Sequence, residues 1–169
     1  TKYIYHGNTL KAVASGDELT IANNGTITGA KSLTVYENGK EKATLRMTTD
    51  TSGASAVTVT ASGGNVSVGG TVVALTDNAC NDVDGKYSQS SEIVYDGVKK
   101  VKQIGYGDIQ TVDANNVSTN LSYGKLTSET FFDDHARESE SYGTTYTGGE
   151  TPSRTLTGKY HYNDKSTPV

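Results

Sequence analysis

The sequence predicts an all-β protein, and three observations support this class. Between residues 16 and 75, Val, Ile and Leu alternate with Thr at the period of two that is typical of strands. Asn-Gly and Gly-Gly pairs interrupt the alternation every few residues, as hairpin turns require. Tyr occurs 11 times and Pro only 2 times, which favours sheet over disorder. We expect antiparallel hairpins or a meander that form a sandwich or an elongated sheet stack, with a β-solenoid as the alternative.

The first two hairpins have registers that follow from their turns. In the first, a three-residue loop at 23–25 ends on a glycine, where such a loop needs a left-handed residue. In the second, a three-residue loop at 38–40 sets apolar residues opposite one another. A two-residue Asn38-Gly39 loop would instead set Val35 against Lys42. The predicted pairs are Ile21 with Ile27, Val35 with Ala43, and Leu33 with Leu45.

Two Gly-Gly pairs predict a meander between residues 57 and 73. The turns are Gly63-Gly64 and Gly69-Gly70, each joining short runs in which Val alternates with Thr or Ser. The predicted pairs are Ala61 with Val66, Val59 with Val68, and Val66 with Val73. The dry face is predicted to hold Val57, Val59, Val66, Val68 and Val73, and the wet face Thr58, Thr60 and Ser67.

The chain is predicted to form one domain from two blocks. Residues 1–75 make an N-terminal β-hairpin block, and residues 86–169 make a Tyr-rich C-terminal β block that packs with it. The polar residues 76–85 form the loop between the two blocks.

The C-terminal block contains weaker strand signals and one helix candidate. A hairpin is predicted around Asp96-Gly97, with loops of two and three residues equally compatible with the sequence. Gly105-Tyr106-Gly107 is expected to break the strand that follows, and weaker strands flank Asn115-Asn116. Residues 128–138 could form one short helix, although the adjacent Phe131 and Phe132 equally suit a strand or a buried corner. The final hairpin joins 141–147 to 153–162, and Leu156, Tyr160 and Tyr162 are predicted to share one of its faces.

Charge and composition exclude several function classes. The net charge is −4, and neither half of the chain carries the basic stripe that a nucleic-acid-binding protein needs. No stretch is apolar enough to cross a membrane, so membrane insertion is not expected. Leu, Ile, Val and Phe are scarce, which predicts a thin core: either a flat, elongated or solenoidal body, or one in which a neighbouring subunit supplies part of the core.

The composition of the first 75 residues resembles that of a known protein family. Short Thr, Val and Ile strands are separated by Gly and Asn, from Val13-Ala14-Ser15-Gly16 through Leu19, Ile21, Gly25, Ile27 and Gly29. This composition is similar to the passenger repeats of autotransporter-type adhesins, which are β-solenoids. The resemblance implies an exposed structural or adhesive role. After Gly85 the Tyr-rich, charged sequence departs from that family.

Two acidic segments are candidates for metal or acid–base chemistry. Asp77, Asp82 and Asp84 lie in one loop rich in oxygen ligands, as a Ca²⁺ site requires, but an Asx-rich turn is the favoured interpretation. Asp133-Asp134-His135 could supply a metal ligand or an acid–base group, and a solvated charged turn is favoured there. No catalytic motif is present, so we expect neither enzymatic activity nor a cofactor, with calcium as the minor alternative.

Tyrosines mark the candidate binding surfaces. Tyr142, Tyr146, Tyr160 and Tyr162 could stack on a glycan, although the absence of Trp favours packing roles. Residues 1–6 form either a first strand or a free arm, in which Tyr3, Ile4 and Tyr5 could add a strand to a neighbouring copy.

These expectations combine into a self-assembling, non-enzymatic structural protein. It would be a subunit of an extracellular surface filament, an adhesin at the cell surface, or a virion component. A glycan-binding β module is the alternative function. The expected partner is another copy of the chain, and a host-surface glycan or protein is a further candidate.

Overall fold

The computed structural model confirms the all-β class. It describes residues 1–47, 57–59, 64–69, 71–72, 87–112, 115, 118–147 and 151–162. Within these residues there are 14 strands and no helix. The strands are β1 (Lys2–His6), β2 (Thr9–Ser15), β3 (Thr20–Ile21), β4 (Ile27–Thr28), β5 (Ser32–Glu37), β6 (Lys40–Met47), β7 (Val57–Val59), β8 (Val66–Val68), β9 (Thr71–Val72), β10 (Tyr87–Asp96), β11 (Lys99–Val112), β12 (Ser118–Phe132), β13 (Glu138–Thr147) and β14 (Thr151–Lys159).

The strands form two sheets. One sheet has 9 strands in the order β1-β2-β5-β6-β10-β11-β12-β13-β14, and the other has 5 strands in the order β3-β4-β7-β8-β9. The strand pairs whose registers are described are all antiparallel, so hairpins rather than a solenoid make up this structure.

The chain divides into two compact units, Thr1–Glu92 and Ile93–Val169. Strand β10 contributes its first part to the first unit and its last residues to the second. The predicted boundary loop at 76–85 lies outside the described residues, and the predicted packing of the two blocks stays a prediction.

The first unit is a two-layer sandwich with a small apolar core. Ile27, Val66 and Val68 of the smaller sheet belong to the same buried cluster as the apolar side chains of the larger sheet. Two fully buried alanines, Ala12 and Ala14, lie on β2, between β1 and β5 of that larger sheet. The remaining buried members are Ile4, Ala30, Leu33, Val35, Leu45 and Tyr87. The core between the two layers is therefore made mostly of Ala, Val, Ile and Leu, with Tyr87 as its one large aromatic side chain among the described residues.

The registers of the first two hairpins are confirmed, but the second turn is not the one predicted. Ile21 pairs with Ile27, Val35 with Ala43, and Leu33 with Leu45. Asn38 and Gly39 form a two-residue turn with φ of 50° and 76°, and Glu37 pairs with Lys40 across it. The apolar register is recovered because the ladder skips one residue, Lys42, which forms a β-bulge between the Val35 and Tyr36 pairs.

The third hairpin corrects two expectations. Val59 pairs with Val66 and Val57 with Val68, so the predicted Val59–Val68 register is wrong by two residues. The shift preserves the faces because two residues are one full strand period. The wet-face prediction is wrong at Ser67, which is buried together with Val66 and Val68. The predicted residues Thr60, Ala61 and Val73 lie outside the described part, as do the side chains of residues 57–59.

The second turn of the meander has the predicted register. Val68 pairs with Thr71 and Ser67 with Val72, which places Gly69-Gly70 between the two strands.

The second unit is built from long hairpins in one sheet. The turn between β10 and β11 has two residues, Gly97 and Val98, with Gly97 at φ 59°. Gly105-Tyr106-Gly107 does not end a strand, because it lies inside β11. The pairing of β11 with β12 shifts register by β-bulges at these residues and then continues. Residues 128–138 form no helix: β12 ends at Phe132, a short turn follows, and β13 begins at Glu138.

Candidate interaction surfaces

One face of the β11–β14 sheet carries two rows of large side chains. The pairings align Lys102, Phe131, Glu140 and Lys159 in one row, and Ile104, Glu129, Tyr142 and Leu156 in the next. The following position on this face pairs Thr144 with Arg154. We call these residues the charged-aromatic face. Its central members Ile104, Glu129 and Thr144 are buried although they belong to a single sheet.

Glu129 is the centre of the charged-aromatic face. Only 7% of this residue is exposed, and its two carboxylate oxygens accept from Lys102 Nζ at 2.6 Å and from Arg154 Nε at 2.6 Å. Burial by itself raises the pKa of this carboxyl, but hydrogen bonds from the two cations outweigh burial and hold the pKa below its ordinary value. Glu129 therefore ties β11, β12 and β14 together as an anion.

Cations also cover the aromatic rings of this face. The Arg154 guanidinium lies 3.4 Å from the Tyr142 ring centroid, and Lys102 Nζ lies 5.0 Å from that of Phe131. The Phe131 and Tyr142 rings meet edge to face at 5.9 Å. The Tyr142 hydroxyl donates to Glu140, and this bond together with the Lys159 ion pair lowers the pKa of Glu140. These stacked contacts bury the middle of a sheet that has no second layer among the described residues of this unit.

The opposite face of the same strands, which we call the flat face, carries mostly small side chains in its two central rows. One row consists of Gly105, Ser128, Gly143 and Thr155, and the next of Gln103, Thr130, Ser141 and Gly158. A Cβ added at Gly105 would lie 2.3 Å from Ser128 Oγ, and one at Gly158 would lie 2.7 Å from Ser141 Oγ. Glycine at these positions lets neighbouring hydroxyl side chains lie against the sheet.

The four tyrosines proposed for glycan stacking do not form one platform. Tyr142 and Tyr146 lie on the charged-aromatic face, and the Tyr146 hydroxyl donates to the Leu126 carbonyl at 2.7 Å. The Tyr160 side chain lies beside Gly158 on the flat face. The Tyr162 ring is covered by the Arg137 guanidinium at 4.4 Å, and its hydroxyl donates to the Glu138 carbonyl.

The prediction that Leu156 and Tyr160 share a face is wrong. The ladder between β13 and β14 pairs Tyr142 with Leu156 but Ser141 with Gly158, so Thr157 is an extra residue. This bulge reverses the alternation of side chains beyond Leu156.

The acidic segment at 133–137 is a structural turn. Asp133 accepts from the Arg137 side chain at 2.7 and 2.8 Å and from the backbone N–H groups of His135 and Arg137 at 2.9 Å. The Arg137 hydrogen bond is the main cause that lowers the pKa of Asp133 to about 2. Asp134 pairs with Lys99 at 3.2 Å. The favoured interpretation of a charged turn therefore agrees with the contacts of these carboxylates.

The predicted N-terminal arm is a strand. All five residues of β1 pair with β2, and the Ile4 side chain belongs to the core of the first unit. Tyr3 and Tyr5 flank Ile4 on the opposite face and are 63% and 56% exposed. Of the three predicted assembly residues, the two tyrosines are thus open to a partner, whereas Ile4 is already buried within its own chain.

Strands β1 and β14 end the larger sheet. Every residue from Thr151 to Thr157 of β14 is exposed, and Pro152 lies within it. Proline on an edge strand removes an N–H from that edge and is one of the usual protections against uncontrolled strand pairing.

A small cleft of about 180 Å³ opens in the first unit beside the β5–β6 turn. Its lining includes the side chains or backbone of Lys11, Tyr36, Asn38, Gly64 and Asn65. Gly64 has φ 62°, and a Cβ there would lie 2.8 Å from the His6 imidazole. The residues around the cleft thus include a cation, a carboxylate (Glu37), an aromatic residue, two valines and two amides.

The remaining predicted sites are not described. Asp77, Asp82 and Asp84 lie outside the described residues, so the calcium hypothesis stays a prediction. Among the described residues, no group of three or more His, Cys, Asp and Glu side chains is arranged to hold a metal ion. Those residues also include no helix long and apolar enough to span a membrane. No family model, curated protein or solved structure matches this chain.

Proposed function

We propose that this protein is a non-enzymatic structural subunit that assembles with copies of itself into an extracellular surface filament or adhesin, or into a virion. Its location would accordingly be the cell surface, the extracellular space or a virus particle. The observation that carries the proposal is the outer strand β1, which presents two exposed tyrosines on a sheet edge. Unpaired strand edges and aromatic side chains are both features that protein interfaces use.

The chemistry of the second unit supports a structural role. Glu129 and Glu140 accept hydrogen bonds from cations on neighbouring strands, and Asp133 accepts from Arg137 within the β12–β13 turn. Such pairs hold strands together, and they leave these carboxylates occupied in the folded chain.

Assembly can be tested by light scattering over a range of concentrations, together with electron microscopy. We expect a concentration-dependent oligomer that is weakened by the double variant Tyr3→Ser, Tyr5→Ser. The control is Val98→Ser, which removes an apolar side chain that is 83% exposed at a turn tip outside β1. A deletion of residues 1–8 is a poor test because it also removes Ile4 from the core.

Two outcomes would contradict the proposal. The first is that the full chain remains monomeric at every concentration. The second is that the control variant weakens assembly as much as the tyrosine variant does. Circular dichroism spectra of all variants would establish that the compared proteins are folded.

The second candidate function is glycan binding, and the cleft of the first unit favours it. Amide side chains and an aromatic residue around a small cleft suit the hydroxyl groups and apolar face of one sugar ring. Asn38→Gly removes an amide without straining the turn, because residue 38 has φ 50°. Chemical-shift changes on adding monosaccharides should appear in the cleft and weaken in this variant, with Asn23→Gly in another turn as the control.

A further inference from the structure

We propose that β14 pairs antiparallel with β14 of a second copy of this chain, with Thr155 on the two-fold axis. The inference rests on the proposed self-assembly and adds a second, specific edge to it. Among the described residues, β14 is bonded on one side only, to β13, and seven consecutive residues of it are exposed. Backbone N–H and C=O groups along its outer side are therefore available to another strand.

The position of Pro152 identifies which backbone groups face outward. Opposite residues in an antiparallel ladder alternate between pairs that exchange both backbone bonds and pairs that exchange none. Tyr146 lies opposite Pro152. Because proline on an edge strand is found where an N–H would face away from the neighbouring strand, we assign this pair to the second kind. The register continues without interruption from Thr147–Thr151 to Tyr142–Leu156. The backbone groups of Arg154 and Leu156 therefore turn away from β13, whereas those of Thr155 turn toward it.

A two-fold axis at Thr155 lets these outward-facing backbone groups hydrogen-bond between the two copies. It places Arg154 opposite Leu156 of the second copy, so both residues exchange backbone bonds on each side of the axis. An axis at Ser153 would set Arg154 against Pro152, which cannot donate. An axis at Arg154 would set two guanidinium groups against each other, and like charges directly opposite are destabilising. An axis at Leu156 would place the bulge residue Thr157 directly beside the axis, opposite Thr155, whereas an axis at Thr155 keeps it one pair further away.

Side chains on both faces agree with this register. Leu156 is 49% exposed and would be covered by the aliphatic part of Arg154 from the other copy. Arg154 keeps its own contacts, because Glu129 and the Tyr142 ring hold it on the charged-aromatic face. The pairs beside the axis, Arg154 with Leu156 and Ser153 with Thr157, contain no like charges.

The register can be tested by cysteine cross-linking of the full chain. In the proposed pair, two copies of residue 155 are directly opposite and not hydrogen-bonded, with Cα atoms about 4.5 Å apart. That distance lies within the range of a disulfide, about 4.4–6.8 Å. We expect Thr155→Cys to form a covalent dimer under mild oxidation, with a 155–155 disulfide identified by peptide mass spectrometry.

Ser153→Cys is the matched control. Residue 153 is exposed on the same face and strand, but in this register its two copies are offset by about 13 Å along the strand. It should give no 153–153 disulfide. Cross-links to the native Cys80 have different peptide masses and are counted separately.

Two variants that remove or restore a proline test the backbone N–H groups of the same edge. Leu156→Pro removes an outward N–H without removing a bond to β13, and we expect it to abolish the 155–155 disulfide when it is combined with Thr155→Cys. Pro152→Thr restores an outward N–H and should increase the cross-linked fraction in the same background. Each variant is compared with its parent by circular dichroism to establish that the sheet is retained.

The outcomes separate this inference from the proposed function. If the protein assembles but the Thr155→Cys variant does not cross-link, or the Ser153→Cys variant does so equally, the β14 pairing is wrong while self-assembly stands. If the chain is monomeric at all concentrations and the Thr155→Cys variant does not cross-link, both are wrong. A 155–155 disulfide that Leu156→Pro leaves unchanged would also overturn the register.

Discussion

Replacing the buried carboxylate Glu129 by an amide should destabilise the second unit. The variant Glu129→Gln keeps the shape of the side chain but removes its charge, and its amide group cannot accept from both Lys102 and Arg154. Hydrogen bonds to charged groups contribute about 1.5–3 kcal/mol each. Lys102 and Arg154 are 25% and 46% exposed and can partly regain water, which favours the lower part of that range.

We therefore expect Glu129→Gln to lower the free energy of unfolding by about 1.5–2.5 kcal/mol at pH 7. For a chain of this length, that change lowers the melting temperature by roughly 3–10 °C. Urea unfolding followed by circular dichroism measures the first quantity, and thermal unfolding measures the second. Tyrosine fluorescence offers an independent signal because Tyr142 stacks directly on Arg154.

The pH dependence distinguishes the charge of Glu129 from its packing. The folded-state pKa of Glu129 is below its ordinary value of 4.5, so the carboxylate contributes stability above pH 4.5. That contribution is lost as the pH falls through the folded-state pKa, and the difference between wild type and variant should shrink accordingly. Glu140→Gln on the same face is the control, and its more exposed ion pair should matter little.

Two results would refute this reasoning. One is a Glu129→Gln protein that unfolds like wild type at pH 7. The other is a stability difference that stays constant between pH 5 and pH 3 (about the range in which carboxylates titrate), because the loss would then come from packing.

Three further predictions concern turns. Ala136 has φ 57°, so Ala136→Gly should relieve about 1–2 kcal/mol of backbone strain. The greater entropy of glycine in the unfolded chain offsets about 0.5–1 kcal/mol of this gain, so urea unfolding should show unchanged or slightly raised stability. Gly64→Ala places a Cβ 2.8 Å from the His6 ring at φ 62° and should destabilise the first unit by about 1–3 kcal/mol in the same assay, so wild-type stability would contradict the described packing. Asp133 has a pKa of about 2, below its ordinary value of 3.8, so its stabilising effect is present above pH 4 and lost as the pH falls toward 2. The Asp133→Asn variant should therefore be less stable than wild type at pH 7, and the melting temperatures of the two proteins should converge in acid.

Much of the first unit could be predicted because its hairpins are local. Asn-Gly and Gly-Gly turns fix where strands reverse, and the alternation of apolar residues fixes which pairs must face the core. The Val35–Ala43 register was therefore predictable even though the turn at Asn38-Gly39 was not. A bulge at Lys42 reconciled the turn with the core, and a bulge has no signal in the alternation of the flanking residues.

The charged-aromatic face could be predicted only in part. Glu129 and Phe131 alternate on β12, and Glu140 and Tyr142 alternate on β13, so each strand separately indicates a face of large side chains. The sequence does not indicate that Arg154 reaches Glu129, because that contact depends on the registers of three strands at once. The extra residue Thr157 then places Leu156 and Tyr160 on opposite faces, whereas alternation predicted that they share one face.

The sequence by itself determined the all-β class, the positions of most reversals and the apolar pairs of the early hairpins. These properties depend on backbone preferences at Gly and Asn and on a period of two, which act over a few residues. Only the tertiary structure decided that Ser67 and Glu129 are buried, that β1 is a paired strand with Ile4 in the core, and that β14 lies at the end of the larger sheet. Burial and edge position depend on which distant segments meet, and a single inserted residue in a ladder changes them without changing the local pattern.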